Sequence, residues 1–313
     1  MSMKILITCP PMLRAIDQLR HHFDEKGLEL VTPDVVQVLT EEELLQLVPN
    51  VDAWIIGDDP ATERVFTAGK NGKLKAAVKW GVGVDNVDFK ACEKLGIPIS
   101  NTPKMFGNEV ADMAMAYFTG LTRDSYRVNQ AVKNGEWIKP AGMSLDGKIV
   151  ALIGLGDIGL ATARRLRGFG VKINAYDPFT VLSAEEAGVD QILLFPDKLE
   201  YADFVIITCA LTPSSFHLIN GDSIAKMKDG VYIINVSRGP LIDEAALVAA
   251  LRAGKVKGAG LDVFEIEPLP LSSPLRKFDQ CIFGTHNGSN TKEAVIRASL
   301  KAIDLLFGYL DIK

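Results

Sequence analysis

Three side chains that could do chemistry each follow an apolar run. Arg238 stands in NVSRGPLID, Glu267 in DVFEIEP and His286 in GTHNGS. A histidine exchanges protons near neutral pH, a nearby carboxylate favours its imidazolium form, and an arginine fork binds a carboxylate through two hydrogen bonds. A histidine in a polar, glycine-rich loop is by itself more often a solvated side chain. The elements around these residues must decide between the two interpretations.

Short apolar runs rich in β-branched residues alternate with helix-period segments along most of the chain. The first set of predicted strands is KILIT, LELVT, AWII, KAAVKW and IPIS, with helices near 12–26 and 41–48. A second set begins at Lys148 with KIVALIGLG, VKINAYD, FVIITCA, VYIINVS, KGAGLDVF and CIFGT. A long helix is predicted over 108–134, stopped by Gly135, and an amphipathic helix over 291–309. This alternation predicts an α/β protein with two parallel-sheet domains, Rossmann-like or flavodoxin-like.

Length and composition describe an ordinary globular protein of about two domains. The chain has 313 residues, 48% hydrophobic and 23% charged, with a net charge of -5 and a pI near 5.5. This charge argues against binding to nucleic acid. No apolar stretch approaches the length of a membrane span, and the apolar run of about four residues in MSMKILITCPP is too short for the core of a signal peptide. The four cysteines never form CxxC, so we expect a cytoplasmic protein without disulfides or a metal site.

The segment GLGDIG has the spacing of a dinucleotide-binding turn. Gly154, Gly156 and Gly159 follow the run IVALI directly, and helical spacing continues after them. Asp177 ends the next predicted strand, where such folds place an acid for the ribose hydroxyls. Its charge would repel a 2'-phosphate, and residues 178–180 include no base, so NAD is preferred over NADP. The alternative is a tight strand-to-helix turn without a cofactor.

The carboxyl ends of parallel strands meet at one edge of a sheet, where ligands bind in such folds. We therefore expect Arg238, Glu267 and His286 to lie over the same crevice as the dinucleotide. The remaining histidines are interpreted as surface or packing residues: His21, His22 and His217.

Several ordered motifs resemble those of the D-isomer-specific 2-hydroxyacid dehydrogenases and together cover nearly the whole chain. They are KWGVGVDNVD (79–88), NEVAD (108–112), GLGDIG, NVSRGPLIDEAAL (235–247), LDVFEIEP (261–268) and THNGS. The family often has Pro before the catalytic histidine and an aliphatic residue after it, where this chain has Thr285 and Asn287. The resemblance implies an NAD-dependent oxidoreductase that interconverts a D-2-hydroxy acid and its 2-oxo acid.

The same resemblance implies roles for individual residues. Arg238 would bind the substrate carboxylate and carbonyl oxygen, His286 would be the general acid and base, and Glu267 would raise the pKa of His286. The backbone of Val82 and Gly83 would bind the carboxylate, although GVGVDN is equally typical of a strand-to-helix turn. Asn108 would lie near the catalytic crevice, and Asp262 would bind the nicotinamide carboxamide, although it is also typical of a strand-end cap. Cys209 alone would be interpreted as core. The expected cofactor contacts are Gly154, Gly156, Asp157, Ile158, Gly159, Asp177, Cys209, Ala210, Val236, Ser237, Asp262 and Gly288.

The domain organisation follows from the same resemblance. Residues 1–100 and 290–313 would form a discontinuous substrate domain around an inserted NAD-binding domain, 101–289, with the active site in the cleft between them. A homodimer through residues 108–145 is implied by family only, and no C-terminal regulatory extension is expected.

Two features bear on the substrate and on rival functions. Asp58 and Asp59 in GDDPATER would oppose a phosphate, with Arg64 and Lys104 compensating in part, so phosphoglycerate is disfavoured. The alternatives are a non-enzymatic NAD(H)-responsive binding protein and a dehydrogenase of phosphite or formate type. Against formate, that branch typically replaces the glutamate that is present here as Glu267.

Overall fold

The computed structural model describes residues 2–312 and divides into two compact units. One unit is formed by the segments Met1–Met105 and Asn290–Lys313, of which Met1 and Lys313 lie outside the described residues. The other is the continuous segment Phe106–Ser289. The second unit interrupts the first along the chain.

The helices and strands alternate through both units. Within residues 2–312 the strands are β1 (Lys4–Ile7), β2 (Glu29–Val31), β3 (Ala53–Ile56), β4 (Ala76–Lys79), β5 (Ile99–Asn101), β6 (Ile149–Ile153), β7 (Lys172–Tyr176), β8 (Gln191–Leu193), β9 (Phe204–Ile207), β10 (Val231–Asn235), β11 (Val256–Leu261) and β12 (Ile282–Phe283). The α-helices of the same range are α1 (Pro10–Arg14), α2 (Ile16–Asp24), α3 (Glu41–Leu47), α4 (Glu63–Asn71), α5 (Phe89–Leu95), α6 (Gly107–Arg123), α7 (Ser125–Lys133), α8 (Asp157–Leu166), α9 (Ala184–Ala187), α10 (Gly221–Lys226), α11 (Glu244–Arg252) and α12 (Lys292–Tyr309). Short 3-10 segments lie at Val48–Asn50, Arg167–Phe169, Leu199–Tyr201, Gly239–Leu241 and Pro274–Lys277.

The first unit is built on a parallel sheet with the strand order β2-β1-β3-β4-β5. Every residue of β3 and β4 is buried, because helices cover both faces of a parallel sheet. The last helix, α12, packs against β3 and β4 although it is far away in sequence. The Trp80 indole N–H donates to Ser299 Oγ on this helix at 3.1 Å. The C-terminal helix is thus part of the core of the N-terminal unit.

The second unit carries a parallel sheet with the strand order β12-β11-β10-β9-β6-β7-β8. The chain runs outward from β6 to β8 and then returns to β9 on the other side of β6. The strand order therefore reverses between β6 and β9, which is the position where open α/β sheets bind ligands. The two parallel sheets confirm the predicted fold class.

Three local predictions were wrong. Strand β8 had not been predicted: it is a three-residue edge strand with no fully buried side chain, so its apolar signal is weak. The single helix predicted over 108–134 is two helices, because Asp124 adopts a left-handed conformation with φ of 54° between α6 and α7. Aspartate tolerates this conformation better than most residues. The helix predicted near 12–26 is likewise divided into α1 and α2 at Ala15.

Candidate active site

The three glycines of GLGDIG have different structural roles in the turn between β6 and α8. Gly154 has a φ of 100°, and a Cβ there would lie 2.6 Å from the backbone nitrogen of Cys209. A Cβ on Gly159 would lie 2.0 Å from the Gly154 carbonyl oxygen. A Cβ on Gly156 would meet no protein atom within 4 Å. The first and third glycines are therefore needed for packing, whereas the second opens a space in front of the α8 N-terminus.

Asp177 follows β7 and lies directly against this glycine turn. Its Oδ2 accepts the Leu155 N–H at 2.8 Å, and its Oδ1 accepts the Phe179 N–H at 2.9 Å. Each carboxylate oxygen has a second acceptor site, so both can also bind hydroxyl groups. The space at Gly156, the helix N-terminus and this acid fit the pyrophosphate and ribose of a dinucleotide.

The residues after β9 and β10 line the same edge of the sheet. The Ser237 hydroxyl donates to the Cys209 carbonyl oxygen, which joins the two strand ends. Burial raises the pKa of the Cys209 thiol to about 11, so it stays protonated near neutral pH. Val236 is 5% exposed, whereas Ala210 is exposed. These strand ends form a largely neutral wall beside the glycine turn.

Arg238 follows β10 and is held by its own loop. Asn235 Nδ2 donates to the Arg238 carbonyl oxygen at 2.8 Å, and Arg238 Nη1 donates to the Ser237 carbonyl oxygen at 2.9 Å. The next residue, Gly239, is packed so closely that a Cβ would lie 1.9 Å from the Phe264 backbone. Direct packing therefore joins the arginine loop to the loop that carries Glu267.

His286 and Glu267 form a hydrogen-bonded pair. His286 Nδ1 lies 2.8 Å from Glu267 Oε2, and the side chains are 23% and 21% exposed. Glu267 is fixed in turn by the Phe264 N–H, which donates to its Oε1 at 2.9 Å. His286 has a φ of 55°, so its backbone adopts the left-handed conformation that favours glycine or asparagine. A fixed carboxylate thus holds a partly exposed imidazole.

Asp262, at the end of β11, connects the segments around this pair. It is 1% exposed, and its Oδ2 accepts the Gly288 N–H at 2.7 Å. Its carbonyl oxygen accepts the His286 N–H at 2.6 Å. Tyr117 on α6, which sequence reasoning missed, donates its hydroxyl to Asp262 Oδ1 at 3.0 Å, and burial raises the pKa of that phenol. Asp262 therefore holds the loop that contains His286 and Gly288 through two hydrogen bonds.

A second histidine and glutamate pair lies beside the first and was also missed. His217 Nε2 lies 2.6 Å from Glu265 Oε1, with both side chains about one-third exposed. Glu265 also donates its backbone N–H to Glu244 Oε1 at 2.7 Å. His217 had been interpreted as a surface or packing residue, but it ties the loop after β9 to the loop that carries Glu267. No signal in the sequence separates it from a solvated loop histidine.

Three further predicted residues lie in the first turns of helices: Asp157, Ile158 and Asn108. Asp157 and Ile158 begin α8, and the Asp157 carboxylate lies against Gly107, where a Cβ would be 2.6 Å from Oδ2. Asn108 is exposed at the start of α6, and its Oδ1 lies 3.4 Å from Arg165 on α8. Its side chain thus contacts the helix that follows the glycine turn.

Val82 and Gly83 belong to the first unit, in the loop after β4. Val82 is 39% exposed, and its carbonyl oxygen accepts Asn101 Nδ2 at 3.0 Å. The preceding Gly81 has a φ of 121°, and its N–H donates to Thr102 Oγ1 at 2.8 Å. The first residues of this loop are thus held by Asn101 at the end of β5 and by Thr102 after it.

The structure gives different surroundings to Asp58 and Asp59, which were expected to oppose a phosphate. Asp59 is 0% exposed and accepts hydrogen bonds from Thr8 Oγ1, the Leu39 N–H and the Gly57 N–H. Asp58 pairs with Lys79 at 2.9 Å. The proposed compensating base Arg64 is bound by Glu41 and Glu42. Only Asp58 therefore retains an exposed carboxylate, and its charge is partly balanced.

Two absences within residues 2–312 concern metal sites and membrane spans. No group of three or more His, Cys, Asp or Glu side chains in this range has the arrangement of a metal site. No helix in the same range is both long and apolar enough to cross a membrane.

Comparisons with known proteins point to one family. Residues 115–288 match the model described as D-isomer specific 2-hydroxyacid dehydrogenase, NAD binding domain. A hydroxypyruvate reductase from Thermotoga maritima is 38% identical over 283 residues, which cover 88% of this chain and 90% of the relative. A D-3-phosphoglycerate dehydrogenase from Methanocaldococcus jannaschii is 36% identical over 294 residues, covering 93% of this chain but only 54% of the relative. This chain therefore spans about half the length of that relative.

A solved structure extends the likeness to the whole fold. The crystal structure of a glyoxylate reductase from Paecilomyes thermophila superposes with a TM-score of 0.81 at 30% identity. The match covers 97% of this chain and 94% of that chain.

Proposed function

The chain belongs to the D-isomer-specific 2-hydroxyacid dehydrogenases and uses NAD, and we propose that Arg238, Glu267 and His286 carry out its reaction on a small 2-oxo acid. The observation that carries this proposal is the 2.8 Å contact between His286 Nδ1 and Glu267 Oε2. A carboxylate at that distance favours the imidazolium ion, which is the proton donor that reduction of a carbonyl group needs.

We assign proton transfer to His286 Nε2, because Nδ1 is engaged by Glu267. When bound, NADH supplies the hydride that adds to the carbonyl carbon. The histidine then gives its proton to the carbonyl oxygen, and in the reverse direction it accepts the proton from the hydroxyl group. The Phe264 N–H and the Asp262 carbonyl oxygen support this role, since they fix the glutamate and the histidine backbone.

Arg238 is proposed to bind the substrate carboxylate and carbonyl oxygen. A guanidinium group presents donors in a planar fork that matches a carboxylate, which holds the carbonyl carbon in one orientation. Val82 and Gly83 are proposed to donate backbone N–H groups to the same carboxylate, which the exposure of their loop supports. The cleft predicted between the two domains stays a prediction, as do the domain boundaries and the individual cofactor contacts.

Within the class of 2-oxo acids, hydroxypyruvate and glyoxylate are the first candidates. Relatives that are 38% and 37% identical to this chain are a hydroxypyruvate reductase and a glyoxylate reductase. Phosphohydroxypyruvate belongs in the same test, because Asp59 is buried and cannot contact a phosphate directly.

The decisive experiment follows NADH absorbance with glyoxylate, hydroxypyruvate, pyruvate, branched 2-oxo acids and phosphohydroxypyruvate. It compares the wild type with His286→Gln, Glu267→Gln and the exposed control His21→Gln. We expect His286→Gln to lower kcat/KM by about 10²- to 10⁴-fold without changing the affinity for NADH. Glu267→Gln should lose less activity, because the amide can still hold His286 Nδ1 but carries no charge to stabilise the imidazolium ion.

The results separate the alternatives. Turnover by His286→Gln equal to that of the wild type would contradict the proton-transfer role. A wild type that oxidises formate or phosphite and reduces no 2-oxo acid would contradict the proposed substrate class.

We also propose that the chain acts as a homodimer through residues 108–145 and resides in the cytoplasm. Exposed apolar side chains in this segment support the dimer: Tyr126, Val132 and Trp137 are 50%, 47% and 78% exposed. The four cysteines are free thiols, which suits a reducing compartment and can be tested by cell fractionation.

A further inference from the structure

We propose that Lys79 is a positioning residue for the 80–86 loop, which it holds in shape and to which it lends a positive charge. The proposal rests on the function proposed above, because that loop contains Val82 and Gly83. Lys79 is the last residue of β4, and its side chain is 2% exposed. Burial of a lysine is unfavourable unless hydrogen bonds or an ion pair replace the hydration that its ammonium group loses.

The Lys79 ammonium group uses all three of its donors within the protein. Nζ donates to the Gly57 carbonyl oxygen at 2.7 Å, to the Trp80 carbonyl oxygen at 3.0 Å and to Asp58 Oδ1 at 2.9 Å. An ammonium ion has three N–H groups, so no donor is left for a substrate. Lys79 therefore acts through the loop and not by direct contact.

These contacts join two loops at the carboxyl ends of β3 and β4. The Gly57 carbonyl oxygen also accepts Asn86 Nδ2 at 3.1 Å, so the side chain before the 80–86 loop and the side chain at its end bind the same atom. Asn86 Nδ2 donates further to the Asp59 carbonyl oxygen at 2.7 Å. The carboxylate of Asp59 fixes the Gly57 N–H from the other side at 3.1 Å. The 80–86 loop is thus held by a buried polar network with Lys79 at its centre.

The charged group of Lys79 lies close to Gly81 in this loop. A Cβ built on Gly81 would be 3.6 Å from Lys79 Nζ. A buried positive charge is weakly screened, so it favours an anion bound to N–H groups nearby. Asp58 is 39% exposed, and the buried Asp59 accepts the Gly57 N–H, so both carboxylates oppose part of this charge. The balance between Lys79 and these two carboxylates therefore affects the affinity of the loop for a carboxylate.

Two variants and one control test this role in the full chain. Lys79→Met removes the charge and all three hydrogen bonds, whereas Asp58→Asn removes only the opposing charge and keeps an oxygen for Lys79. Lys75→Met is the matched control, because Lys75 is 57% exposed and pairs with Asp52 just before the same strand. The measurements are KM and kcat for the best 2-oxo acid, the Kd of NADH, and the Kd of oxamate for the NADH complex.

We expect Lys79→Met to raise KM and the oxamate Kd at least tenfold with a smaller change in kcat, the pattern of lost ground-state binding. The Kd of NADH should stay within twofold. Asp58→Asn should lower KM and the oxamate Kd about two- to fivefold, because the lysine charge is no longer opposed. Lys75→Met should match the wild type. If Lys79 had only a structural role, Lys79→Met and Asp58→Asn would not change the oxamate Kd in opposite directions.

Each outcome decides the proposal. Unchanged KM and oxamate Kd in Lys79→Met would overturn it, and so would equal or weaker oxamate binding in Asp58→Asn. If Lys79→Met does not fold, Asp58→Asn alone decides by the direction of its change. A wild type that binds oxamate but reduces no 2-oxo acid would overturn the proposed function while the oxamate series still tests Lys79. A wild type that neither binds oxamate nor reduces any 2-oxo acid would overturn both.

Discussion

Replacement of Gly156 by alanine is expected to weaken cofactor binding strongly and to leave the fold intact. A Cβ at this position meets no protein atom within 4 Å, and the backbone φ of -71° and ψ of -163° suits alanine. Loss of glycine at a helix N-cap costs about 1 kcal/mol, and the stiffer unfolded chain returns about 0.4–1 kcal/mol. The free energy of unfolding should therefore change by less than about 1 kcal/mol. The new methyl group would occupy the space that we assign to the pyrophosphate.

Gly159→Ala should behave in the opposite way. Its Cβ would lie 2.0 Å from the Gly154 carbonyl oxygen, so the backbone must move by about 1 Å, and the free energy of unfolding should fall by about 3 kcal/mol or more. Gly168→Ala serves as the control, because its Cβ also meets no atom within 4 Å and the residue lies outside the glycine turn.

The assay combines NADH fluorescence titration with urea unfolding in the presence and absence of NADH. We expect Gly156→Ala to raise the Kd of NADH at least about 100-fold, which corresponds to about 2.7 kcal/mol. At an NADH concentration 100 times the wild-type Kd, the ligand should stabilise the wild type by about 2.7 kcal/mol and the variant by only about 0.4 kcal/mol. Binding of NADH within threefold of the wild type would refute the assignment of this space to the cofactor.

Two further predictions concern the Glu244 carboxyl group and the exposed side chain of Trp137. Burial, followed by the charges of Glu265 and Glu267, raises the pKa of the Glu244 carboxyl above its ordinary value of 4.5. A raised carboxyl pKa contributes stability below the unfolded value that is lost as the pH rises through the folded pKa, so Glu244→Gln should gain stability relative to the wild type between about pH 4 and about pH 8. Urea unfolding at both pH values measures this, and a difference that does not grow with pH would contradict it. For the proposed dimer, Trp137→Ser should raise the dissociation constant at least about tenfold, as measured by light scattering across a dilution series. A mass equal to that of the wild type at every dilution would argue against this surface as the interface.

Much of the fold was predictable because its signals are local. Runs such as IVALI and VYIIN are buried on both faces of a parallel sheet, so their composition alone predicts central strands. The failures occur where local signals are weak. Edge strand β8 buries little, and the break between α6 and α7 depends on one aspartate in a left-handed conformation.

The candidate site was predictable where a motif carries the chemistry within a short segment. The spacing of the GLGDIG glycines and the place of Asp177 follow from the turn that a dinucleotide needs. Tyr117 could not be predicted as the partner of Asp262, because 145 residues separate them and their contact depends on the packed fold. The burial of Asp59 was hidden for the same reason, since its partners come from Thr8 and Leu39.

The interruption of one unit by the other has a consequence for the order of folding during synthesis. Phe106–Ser289 is continuous, so it can fold as soon as its own residues have left the ribosome. The first unit cannot complete its core until α12 is made, because this helix covers β3 and β4 and carries the Ser299 partner of Trp80. We therefore expect the apolar face of β3 and β4 that α12 covers to stay exposed to solvent while Phe106–Ser289 is translated. That interval is when this chain most needs protection from aggregation.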